Sequence, residues 1–310
     1  MLKQVMEILE VLDDPNVNGI KVAELFKEYG NVTTEIETIG EKKGTTDVIR
    51  IKIKGEDPEA PVLGVFGQLG GIGARPEAIG YVSDGDGAAS ALALALKAAQ
   101  MNERGDILKG DLFISTHICP DAPTQPHDPV PFMGSPVGTR EAITAMKRNG
   151  KIDALISVDT TKGNRIMNHK GISITSTVKK GYIMSVSDDL LDIYERVTGI
   201  SPRVLPISMQ DITPYGNRIY HINSIMQPCT QMEVPVVGLA ITTEAPVAGC
   251  ATGASHEIDI ELSSRFCLEV AKQFSSGKCS FFDENQYNRL VYLYGDLSDL
   301  SFSKKELINE

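Results

Sequence analysis

The sequence predicts an α/β protein: one domain with a mainly parallel central sheet covered by helices on both faces, a three-layer α/β/α arrangement. Three observations lead there. Segments of strand length alternate with segments of helical spacing along the 310 residues. Four apolar runs, 61–66, 112–116, 154–158 and 235–242, each give way to a glycine-rich or polar segment. No internal repeat, low-complexity stretch or linker divides the chain.

The elements follow in order. Val5, Ile8, Leu9 and Leu12 recur at helical spacing, predicting a helix over 2–12 that Asp13-Asp14-Pro15-Asn16 stops. A second helix is expected over 19–29, closed by Gly30. Strands are expected over 33–39 and 47–54, the latter alternating Val48, Arg50 and Lys52 with Ile49, Ile51 and Ile53. After the strand at 61–66 comes the glycine-rich loop 67–73, then a helix over 87–101 and a strand over 112–116. The loop 117–129 carries four prolines, which exclude regular structure, and long irregular loops are often functional. Further helices are expected over 139–148, 188–198, 261–274 and from 283 onward. Further strands are expected over 154–158, 203–207 and 235–242, with a hairpin of 172–178 and 182–186 around Lys179-Lys180-Gly181.

Composition narrows the function. Lys and Arg number 30 against 41 Asp and Glu, a net charge of −11 with no basic cluster, which argues against nucleic acid or an anionic membrane as partner. The five cysteines are scattered and never form a Cys-x-x-Cys pair, as expected of a reducing cytoplasm rather than a thiolate zinc cage or a disulfide scaffold. The first ten residues carry acids within their apolar pattern, unlike a signal peptide, and no apolar run approaches the ~20 residues of a membrane helix. A cytoplasmic location, a small-molecule or peptide substrate and a homo-oligomeric assembly are the expectations.

In open α/β sheets, ligands gather beyond the carboxyl ends of the strands. The polar residues there are Gln68 after the first apolar run, His117 with Asp121 and His127 after the second, and Asp159 after the third. Beyond the fourth run lies Ser255-His256-Glu257. Ser83-Asp84-Gly85-Asp86-Gly87 sets two acids among glycines before a run of strong helix formers. Asp86 reads equally as a helix cap, whereas flanking glycines let the backbone at Asp84 approach a ligand closely. Acids and histidines at separate strand ends suit a divalent cation, zinc foremost and manganese next. Lys162 and Arg165 read as solvated charges or as partners for a substrate carboxylate.

The order of these motifs resembles the co-catalytic zinc exopeptidases, the superfamily of leucyl and glutamyl aminopeptidases. Ser83-Asp84-Gly85-Asp86-Gly87-Ala88-Ala89 is similar to the family's helix-opening motif, with Asp84 in the position of the metal-bridging carboxylate. Ser157-Val158-Asp159 and Ser255-His256-Glu257-Ile258-Asp259 are similar to two later elements, with Asp159 and His256 as ligands. Met209-Gln210-Asp211 through 234–239 resembles the segment that precedes that histidine in the glutamyl aminopeptidase branch. Beyond these matches, one arrangement the residues allow is a single metal held by Asp84, His117 and His256 with Asp159 close by and Asp121 or His127 as base, with Gln68, Asp86, Asp211 and Glu257 toward substrate. The resemblance implies metal-dependent hydrolysis of a peptide or amide bond.

The departures are specific. Gln68 stands where the family has a histidine, Gly85 where it has a second acid, and Thr116-His117-Ile118 where it has a Glu-Glu pair. A non-catalytic protein that binds an amino acid or peptide on the same fold is therefore the alternative. A dinucleotide site is disfavoured, because residues 67–73 lack Gly-x-Gly-x-x-Gly spacing and Arg75-Pro76 replaces a helix start.

Overall fold

Eight strands make the main path of a mixed sheet in the computed structural model, which describes residues 1–41, 44–68, 72, 80–126, 128–212 and 224–298. They are β1 (Val32–Glu41), β2 (Gly44–Ile53), β3 (Leu63–Gly67), β4 (Leu112–Ile118), β5 (Ala154–Thr161), β6 (Gly171–Thr175), β7 (Val204–Leu205) and β8 (Val236–Thr242). Their order is β1-β2-β4-β3-β5-β8-β6-β7. The centre, β4-β3-β5-β8, is parallel. The flanks are not: β2 runs antiparallel to both β1 and β4, and β6 runs antiparallel to β8. The reason is connection length. Only two residues separate β1 from β2, and 162–170 carries no helix to make a parallel crossover from β5. A ribbon of Val178–Lys179 and Tyr182–Ile183 adds to β8 and replaces the longer expected hairpin.

The helices are α1 (Leu2–Leu12), α2 (Gly19–Glu24), α3 (Asp86–Glu103), α4 (Thr139–Met146), α5 (Asp188–Thr198), α6 (Glu257–Ser275) and α7 (Glu284–Tyr294). Alternate strand residues feed two cores. Ile49, Ile51, Leu63, Val65, Ile114, Ile156 and Leu239 pack with α1, α3, α5 and α6. Val48, Phe66, Phe113, Leu155 and Ala240 pack with Ala145 and Met146 of α4 and with Ile225 and Met226. Helices thus lie against both faces of the sheet.

Two differences from the sequence reading bear on the site. The strands run further than their apolar cores, so His117 lies inside β4, opposite Val48, and Asp159 lies inside β5, opposite Ala240. The polar face of β2 is also covered. Arg50 is buried, donating to Glu37, to Glu35 and to the Ala145 carbonyl at the end of α4.

Helix α3 is the central helix, buried without a break from Asp86 to Leu96. Its alanines keep it thin enough to lie between the sheet and its neighbours α1 and α6, and Ser90 meets Ser263 and Ser264 of α6. Its first turn touches the strand ends directly. A Cβ on Gly87 would fall 2.6 Å from both the Gln68 and Val158 carbonyl oxygens, and one on Gly67 would fall 2.6 Å from the Gly87 oxygen. Neither backbone can move aside without breaking the β3–β5 pairing. We expect Gly87→Ala to destabilise the protein by at least about 1–3 kcal/mol in urea unfolding. Unchanged stability would mean that this contact is loose.

Candidate functional site

The contact at Gly87 fixes where the acids go. Residues 83–85 form a 3-10 turn that runs directly into α3. Thr160 of β5 donates to the Ser83 carbonyl at 3.0 Å, tying that turn to the sheet. Loops from elsewhere in the chain close over Asp84. Its backbone N–H donates to the Gly249 carbonyl at 3.0 Å, and its Oδ2 accepts the Met133 N–H at 2.8 Å. A Cβ on Gly249 would lie 2.3 Å from the carboxylate, so only glycine can cover it so closely.

Asp86, at the first position of α3, is 1% exposed. Ser255, just before α6, donates to its Oδ1 at 2.6 Å. Burial raises its pKa to about 7, against the pull of the Lys162 charge and the Ser255 hydroxyl, with Asp84 pushing the same way as burial. The Tyr81 phenol is buried beside it and its pKa is raised well above the usual value, by burial first and then by the charge of Asp86. The two groups feel each other, but the Tyr81 hydroxyl makes no hydrogen bond.

Lys162 follows β5 directly, and Gly163 anchors the chain there by donating to Thr243 at 3.0 Å. Burial lowers the Lys162 pKa, opposed by the carboxylates of Asp86, Asp84, Asp259 and Asp159 in that order of strength. Asp259, in the first turn of α6, is buried and its pKa is raised by that burial, while Lys170, His256 and Lys162 draw it down. Its Oδ2 has no partner. Two helix N-termini, those of α3 and α6, thus meet four acids and one lysine, and their partial positive charge favours the acids.

The other expected residues are placed as follows. Gln68 is buried at the end of β3, its N–H donating to Val158 at 2.7 Å and its Nε2 left without a partner. His256 is half-buried and caps α6 without a side-chain hydrogen bond, and Glu257 beside it is exposed. His117 is buried in β4 with Nδ1 2.9 Å from the Thr46 hydroxyl. That hydroxyl also donates to the Ile118 carbonyl at 3.0 Å. Asp159 is nearly buried and accepts its own neighbour's N–H, that of Thr160, at 2.8 Å. Asp121 is exposed, and His127 lies outside the described residues. Asp211 is fully buried with Ser208 and Gln227 as its partners, none of them in the group around Asp86. Arg165 is exposed.

The charges of Asp84, Asp86 and Asp159 therefore all act on one lysine, Lys162. Among the described residues no group of three or more His, Cys, Asp or Glu side chains is placed to hold a metal ion. Asp84 is engaged by a backbone N–H and roofed by Gly249, and the charges of the acids act on Lys162. Sequence reasoning passed over Tyr81, Ser255 and Asp259 as site residues. Asp259 alone left a trace, three residues after His256 in the opening turn of a helix.

Asp86 carries a testable pH dependence. Its folded pKa near 7 exceeds the ordinary 3.8, so the folded state holds the proton more tightly. Stability is full below pH ~4 and falls as pH rises to about 7, by roughly 4 kcal/mol from this group. Asp86→Asn is expected to shrink the loss of urea stability between pH 5 and pH 8. An undiminished loss in the variant would contradict the assignment.

Comparison with known proteins agrees with the architecture. Residues 37–304 match the sequence model of a family described as "Protein of unknown function (DUF1177)". A search of curated proteins finds no match. Among solved structures, the chain is similar to the crystal structure of an Acidobacteriales bacterium glutaminyl cyclase, at 15% identity and a TM-score of 0.52. The match covers 89% of this chain and 94% of that one. At that identity the likeness is one of fold. Among the described residues no helix is long and apolar enough to cross a membrane.

Proposed function

This chain belongs to the DUF1177 family, and we propose that it binds a small zwitterionic molecule, an amino acid or short peptide, with Lys162 supplying the positive charge of the site. The carrying observation is the position of that lysine, half-buried in the field of Asp86, Asp84, Asp259 and Asp159 at the carboxyl end of β5. Two buried groups nearby lack partners: the Gln68 Nε2 donor and the Asp259 Oδ2 acceptor. Buried polar groups are normally satisfied, and orphans at the strand ends of an α/β sheet are where a ligand would satisfy them. In this reading Lys162 pairs with the ligand carboxylate, Gln68 donates to a ligand oxygen, and Asp259 accepts from the ligand ammonium. Asp84 and Asp159 hold the lysine in place by charge, and Ser255 holds Asp86.

Calorimetric titration with a panel of dipeptides and acyl amino acids, in the presence of a chelator, tests this. Binding is expected to survive the chelator and to weaken about 10- to 100-fold in Lys162→Met, the worth of one charge-assisted hydrogen bond. Binding that the chelator abolishes, or that Lys162→Met leaves unchanged, would contradict it.

A second reading is metal-dependent hydrolysis of a peptide or amide bond, aminopeptidase-like, with zinc or manganese. The likeness to a glutaminyl cyclase fold favours it, together with the positions of His117 and Asp159 near the carboxyl ends of β4 and β5 and of Asp84 and His256 just before α3 and α6. Elemental analysis of the purified protein decides between the two. This second reading expects about one or two zinc or manganese ions per chain, lost in Asp84→Ala and His256→Ala. The binding reading expects none even after incubation with excess metal.

A further inference from the structure

We infer that the ligand proposed above carries an apolar side chain and that Phe132 selects it; the inference rests on that binding reading. The two-residue strand Phe132–Met133 pairs antiparallel with Thr124–Gln125, a short hairpin in the loop that follows β4. The Met133 N–H donates to Oδ2 of Asp84 at 2.8 Å. Covalent geometry then holds the Phe132 Cα within about 5 Å of that carboxylate. The residue before it, Pro131, accepts the Gly249 N–H at 3.1 Å, and the Gly249 carbonyl accepts that of Asp84. Residues 131–133 and Gly249 are thus laid across the acid by backbone hydrogen bonds, which fix the place of Phe132 whatever its side chain does.

Successive side chains of a strand point to opposite sides. Met133 takes the inner side, 1% exposed and packed with Val82, Cys119 and Ala122. Phe132 takes the other side and is 40% exposed. A lone exposed aromatic residue is ordinary on a protein surface, but this one is held beside Asp84, whose charge acts on Lys162. A zwitterion that pairs its carboxylate with Lys162 has only its side chain left to place. A phenyl ring at the rim gives an apolar side chain something to bury against, and gives glycine nothing. The two parts of recognition are then divided between residues: Lys162 takes the charge that every such ligand shares, and Phe132 takes the side chain that distinguishes them.

The test is calorimetric titration of the full chain, in chelator, with diglycine, leucylglycine and glycylleucine. The better of the two leucyl dipeptides should bind the wild type about 5- to 30-fold more tightly than diglycine, and Phe132→Ala should remove that preference while leaving diglycine within about twofold. Lys162→Met should instead weaken all three. The chain has no tryptophan, so Phe132→Trp places a single indole on the hairpin, and its emission should move to shorter wavelength on saturation with the preferred dipeptide. A preference that survives Phe132→Ala, or an indole emission that saturation leaves unchanged, would overturn the inference and leave the binding reading standing. Wild-type protein that binds none of the three would overturn both.

Discussion

The backbone contact between the first turn of α3 and the ends of β3 and β5 sets the rest. Gly67 and Gly87 bring the helix within a distance no side chain allows, and the helix start cannot then retreat from the sheet. Whatever occupies that start is buried with it. Here the occupants are acids, Asp84 and Asp86, which a helix N-terminus tolerates better than any other part of a helix. The serine contacts along α3 and α6 carry a second helix N-terminus to the same place, adding Ser255 and Asp259. The packing of small residues in the core thus dictates the charge pattern at the site.

That pattern needs a counter-charge. Buried carboxylates are costly unless paired, neutralised by a proton or matched by a cation. The chain uses two of these remedies: Asp86 keeps its proton up to about pH 7, and Lys162 sits among the others. The glutaminyl cyclase whose fold this chain shares at 15% identity is a likeness of scaffold, and scaffold does not determine what fills the site. The orphaned Gln68 amide and Asp259 oxygen point to a ligand that brings both an acceptor and a donor.

Much of the architecture was legible in the chain because its signals are local. The run 188–198 is bounded by Ser187 and by Gly199, which takes a left-handed φ of 71°, and the helix ends where expected. Helix α1 likewise ends at Leu12, where Asp13 follows. The antiparallel flanks were less visible, since strand direction is set by partners far along the chain. So was the true extent of β4 and β5: His117 and Asp159 break the apolar pattern yet continue the ladder, because neighbouring strands supply their hydrogen bonds. Of the site, Asp84, Asp86 and Asp159 could be read from glycines and strand ends. Lys162 could be read only as a solvated charge or a partner for a substrate carboxylate, and Ser255 could not be read as the partner of Asp86, 169 residues away in sequence. Side chains that meet across such separations leave no spacing to recognise.

The measurement that tests the central claim most directly is diffraction from wild-type crystals soaked in manganese, with data collected near the metal's absorption edge. With Lys162 as the counter-charge, the anomalous difference map should be empty among Asp84, Asp86 and Asp159, and the Lys162 ammonium should appear there in ordinary density. A strong anomalous peak bridging Asp84 and Asp159, with Lys162 turned away, would contradict the account.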